Sequence, residues 1–163
     1  MNTKLSRKWG IIGACAASLA MLAAMPAAAH HSFAMYDTTK SKTLTGMLTR
    51  FLPGANHAQI LFSLVDENGK VVLDDKGKPV MWGVEMGPAA QIALKGVTVK
   101  DFPPGTIITV TLHPLKDGRN FGTLARGVGI VKCGTTMPKE GCTAKTGDLF
   151  MGTPPQPQPQ PQP

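Results

Sequence analysis

Two of the four histidines, His30 and His31, stand directly behind Ala27-Ala28-Ala29. That small-residue run reads as an A-x-A export cleavage site. A cut after Ala29 makes His30 the first residue, with a free amine and an imidazole on the same residue. Those two nitrogens can chelate one ion. Cu(II) favours nitrogen donors in a square-planar or tetragonal arrangement, so copper is the expected metal. A cut one residue earlier would leave Ala29-His30-His31. That arrangement also binds Cu(II) or Ni(II), but it would put Pro26 at the −3 position of the cut. The candidate metal ligands are therefore His30, His31, His57 and His113, with no expectation that all four meet.

His57 and His113 fall on the polar sides of two apparent strands, as does Glu85. Either histidine alone fits a solvated or hydrogen-bonded surface group. Asp37 and Glu85 could assist a metal ion. No G-x-S-x-G, H-E-x-x-H, P-loop or G-x-G-x-x-G occurs. The carboxylates lie mainly in turns, without an obvious catalytic pair. The chain therefore reads as a binding module rather than an enzyme. Cys133 and Cys142 enclose eight residues. In an oxidising compartment two such thiols are expected to form a disulfide, worth roughly 2–3 kcal/mol on the chain-entropy model. The C-x-x-C spacing of a redox or thiolate metal site is absent.

Residues 1–29 supply the rest of an export signal. Lys4, Arg7 and Lys8 form the basic region, and Ile11 to Ala24 a short apolar stretch. A rival lipoprotein site at Cys15 has only four apolar residues ahead of it, where a signal needs its apolar region. The expected location is therefore periplasmic or secreted, with a lipoprotein anchored at Cys15 as the lesser alternative. No second apolar run approaches the ~18–20 residues of a transmembrane segment. Residues 30–163 number 134 and carry a formal charge of +4, since the leader holds three basic residues and no acidic one. That is one domain's length. The charge is mild and scattered, and the aromatic platforms of a nucleic-acid groove are missing, so no nucleic-acid partner is expected.

Elements must hold these groups in place. Residues 30–43 read as an irregular lead-in. Strands are expected at Leu44–Phe51, His57–Asp66, Val80–Met86, Thr106–His113 and Phe121–Lys132, from period-two alternation bounded by Gly, Pro and Asn turns. Arg126 interrupts the apolar side of the last. Residues 67–79 read as a protruding hairpin tip around Asn68-Gly69 and a second acidic turn. Pro88 to Leu94 suits a short helix, with Pro88 in its first turn and Gly96 at its end. Three strands, a helix and two strands suit a small five-stranded OB-like barrel, all-β with one short helix; a small β-sandwich is the alternative. The barrel domain spans 44–132, followed by a disulfide-bearing segment at 133–153 and a Pro-Gln tail at 154–163. The tail lacks apolar side chains to bury and reads as an extended, polyproline-like spacer.

Four motifs carry a family resemblance: His30-His31-Ser32-Phe33-Ala34-Met35-Tyr36-Asp37, Asn56-His57-Ala58-Gln59-Ile60, Trp82-Gly83-Val84-Glu85-Met86-Gly87 and His113-Pro114-Leu115-Lys116-Asp117-Gly118. Through them the chain resembles a family of small exported bacterial proteins classed as a domain of unknown function. The family usually shows Asn-Pro-His where this chain has Ala55-Asn56-His57. The resemblance implies export and one small β domain, and supplies no activity. The expected function is thus an exported small binding module that takes copper at its mature amino terminus. A structural or interaction protein of the envelope, using its polar barrel face or Pro-Gln tail, is the alternative. A copper oxidase or monooxygenase using the same terminus is a third reading.

Overall fold

Alternating apolar residues fold from Lys42 onward into a closed, twisted sheet. The structure, a computed structural model, describes residues 31–153. Residues 1–30, with Cys15, the expected cleavage site and His30, lie outside the described residues, as do the Pro-Gln tail and the side chains of His31 and Ser32. The chain divides into residues 1–34 and 35–163. In the first unit His31–Ala34 form a single helical turn, α1.

The second unit carries seven strands: β1 Lys42–Leu52, β2 Gln59–Leu64, β3 Met81–Glu85, β4 Ile107–Pro114, β5 Phe121–Leu124, β6 Ile130–Lys132 and β7 Asp148–Phe150. A short helix, α2, spans Ala89–Ala93 between β3 and β4. The strand order is β1-β2-β3-β5-β4, and β1 also pairs with β4, which closes a five-stranded barrel. The β1–β2 and β1–β4 pairs are antiparallel, whereas β3 and β5 run parallel. This is the expected OB-type arrangement rather than a sandwich. β6 and β7 extend the sheet beyond β4.

Period two explains which side chains face inward. Ile60 and Phe62 of β2, Val84 of β3, and Ile108, Val110 and Leu112 of β4 are fully buried. A register shift between Leu48 and Arg50 returns Phe51 to the inner face opposite Ile60. Ile92 of α2, with Val97 and Phe102 beyond it, joins the same core. Gly46 leaves room for the Phe62 ring, which a Cβ there would strike.

The hairpin tip uses one device twice. Asp66 Oδ1 accepts from the amides of Asn68 and Lys70, and Asp74 Oδ1 from those of Lys76 and Lys78. Gly69 and Gly77 supply the positive φ that each turn needs.

Two expectations need correction. The strand expected over Phe121–Lys132 is broken at Ala125–Gly129. Arg126 faces out there, and Gly127 and Gly129 take positive φ. β5 consequently serves β3 and the end of β4, while β6 pairs with the first half of β4. The segment 133–153 also does more than follow the barrel. It returns as β7 against β6, and Phe150 meets Phe102 edge-on with ring centroids 5.0 Å apart.

Candidate functional site

The outer face of β3 presents Glu85, and the neighbouring strands set polar residues beside it. Gln59 of β2 lies opposite Glu85, Thr123 of β5 flanks its other side, and His113 of β4 lies opposite Thr123. Gln59, Glu85, Thr123 and His113 thus form one row across four strands. Gly83, two residues before Glu85, has no Cβ to push away the Phe121 ring lying against it. That ring stands as an aromatic wall beside the row.

The lead-in covers this face. Lys116 N donates to Met35 O at 2.9 Å and Asp37 N to Pro114 O at 2.8 Å, with Tyr36 bridged to Leu115 between them. The pairing pins Tyr36, which is 2% exposed. Its hydroxyl donates to the Glu85 carboxylate. Burial first, then the charge and hydrogen bond of Glu85, push the phenol pKa up to about 12.

Asp37 is occupied locally. Its Oδ1 accepts from Thr39 N at 3.2 Å and Thr39 Oγ1 at 2.6 Å, and its Oδ2 lies 3.0 Å from Lys40 Nζ. The Thr39 hydroxyl first, then Lys40, hold its carboxyl down at about 2. Its chemistry is that of a turn brace ahead of β1.

His57 sits just before β2, with its side chain 43% exposed and Nδ1 3.3 Å from Glu85 Oε1; the Glu85 side chain is 17% exposed. His113 is held differently. Its Nδ1 bonds the carbonyl of Lys40 at 2.7 Å. A carbonyl only accepts, so Nδ1 carries the proton and a neutral ring leaves Nε2 as the acceptor. That is the orientation a ligating imidazole takes when a backbone carbonyl supports it. Gln59 and His113 are three strand spacings apart, about 14 Å along the sheet. The structure therefore brings His57 to Glu85, while His113 has its own partner further along the row. Among the described residues no three His, Cys, Asp or Glu side chains gather as a metal group. Cys133 and Cys142 are joined as expected, and Cys142 packs with Ile107 and Val131 in a second small core.

Between Met35-Tyr36 and the barrel lies a cavity of about 320 Å³, lined among others by Gln59, Glu85, Arg119, Asn120 and Phe121. It can hold a small molecule against one carboxylate and two aromatic rings. Tyr36 is the residue that sequence reasoning missed. Its one sequence signal was its standing as the sole tyrosine.

Residues 18–125 match the model of a family of unknown function, DUF6152. No curated protein and no solved structure matches the chain. Among the described residues no helix is long and apolar enough to cross a membrane.

Proposed function

The chain belongs to that family of unknown function, so its role has to come from its own residues, and we propose that it is an exported, non-catalytic binding module that takes Cu(II) at its mature amino terminus. The observation that carries the proposal is the position of His30 directly behind Ala27-Ala28-Ala29. Processing there creates a ligand that the precursor lacks: an amine and an imidazole on one residue, matched to the nitrogen preference of Cu(II). The basic leader and the short apolar stretch before it support a periplasmic or secreted location. A disulfide between Cys133 and Cys142 is in keeping with an oxidising compartment.

Native mass spectrometry of the protein secreted by its own host tests the proposal. The expected species begins at His30, lacks two hydrogens for the disulfide and carries one copper ion. A product beginning at lipidated Cys15, or one cut at His30 that takes up no copper when offered it, would overturn it.

A further inference from the structure

The cavity beside β3 has a chemically specific lining among the described residues. We propose that it binds a small organic ammonium ion, with the cationic nitrogen at Glu85 and the alkyl groups against Tyr36 and Phe121.

Among the described residues Glu85 is the only carboxylate in the lining. Tyr36 takes part of its accepting capacity and His57 approaches Oε1. Accepting hydrogen bonds leaves an ionised carboxylate its negative charge, so Glu85 still attracts a cation in the cavity. Among the described residues Arg119 is the only cation in the lining, and its guanidinium is paired with Asp117. Its Nε donates to Asp117 Oδ2 at 2.8 Å, and its backbone N to Asp117 Oδ1 at 3.0 Å. Glu85 is thus the group in the lining that attracts a cation, opposed by an arginine whose charge Asp117 partly offsets.

The walls suit the rest of such an ion. Phe121 lies against Gly83, and Tyr36 is clamped by the Met35–Asp37 pairing, so both aromatic groups are fixed before anything binds. Aromatic faces attract cations through the negative potential above the ring. A volume of about 320 Å³ is at the lower end of the roughly 300–1,000 Å³ range of ligand pockets. The size selects a small ion over a peptide or sugar chain. Gln59 and Asn120 add neutral polar groups for a substituent such as a hydroxyl.

Choline chloride is the probe, with its uncharged isostere, in which carbon replaces nitrogen, as control. Both are titrated into the mature protein with a chelator present, following the amide signals of Glu85, Asn120 and Phe121 by NMR. The chelator keeps the result independent of copper at the amino terminus. Choline should bind at least about tenfold more tightly than the isostere, and Glu85→Gln should remove that preference. Asp117→Asn, on the exposed surface, leaves the fold intact and releases the charge of Arg119, which should weaken choline by about two- to threefold. Equal binding of choline and isostere, no binding of choline, or full choline affinity in Glu85→Gln would overturn the proposal. Should Glu85→Gln not fold, the comparison of the two ligands on the native protein and the Asp117→Asn shift decide it.

Discussion

Tyr36 and Glu85 show how burial and one charge define a group's behaviour. The phenol is buried and donates to a carboxylate, so ionising it would place two negative charges in contact. Its pKa therefore rises from the ordinary value of about 10 to about 12. The unfolded chain releases this proton near pH 10 and the folded chain holds it to about 12. The folded state is thus favoured fully below pH 10, and that contribution, about 2–3 kcal/mol, disappears as pH rises through 12. The chain has a single tyrosine, so the near-ultraviolet phenolate band reports this group alone. A titration midpoint near 12 is expected, and Glu85→Gln should lower it only part of the way, because burial, the larger cause, remains. A native-protein midpoint at 10 would mean that the lead-in does not cover β3. Glu85 was legible in the sequence as an outward-facing acid. Tyr36 was not, because its burial depends on pairing with Leu115, far along the chain, and no local pattern announces that.

At the scale of elements, the strands were legible where alternation is clean. Ile60, Phe62 and Leu64 in β2, and Ile108, Val110 and Leu112 in β4, alternate without a break, and both strands lie where period two places them. The helix between β3 and β4 was readable from Pro88 and Gly96. Legibility ended after β5. Two glycines and an arginine end that strand, but they resemble a local flaw in one strand as much as a turn between two. β7 was hidden altogether, since its three residues gain their strand geometry from β6 rather than from a pattern of their own. The disulfide closes the loop that leads from β6 toward β7. Replacing both Cys133 and Cys142 by Ser should cost roughly 2–3 kcal/mol, read as a lower urea midpoint. Hydrogen exchange should quicken in β7 more than in β1 or β4, because β1 and β4 each pair along both edges. An unchanged midpoint would show that β6 and β7 hold together without the bond.

At the scale of the whole molecule, a closed barrel carries its polar chemistry on the outer wall, and its interior is filled by Phe62, Ile108, Leu112 and their neighbours. The architecture followed from element order, because three strands, a helix and two strands leave few ways to bury one modest core. The proposed ligand His30 was legible only as a residue type behind an expected cleavage site, because on this proposal it becomes a chelate through processing rather than through folding. The measurement that bears most directly on the proposed function compares Cu(II) affinity between protein beginning at His30 and protein with one extra residue before it. Calorimetric titration at neutral pH against a competing chelator reads both. The added residue moves the free amine off the histidine, so the extended form should bind at least about tenfold more weakly, a difference of about 1.4 kcal/mol. Equal affinities would contradict the amino-terminal copper site and leave the outer barrel wall or the Pro-Gln tail as the contact surface of an envelope interaction protein.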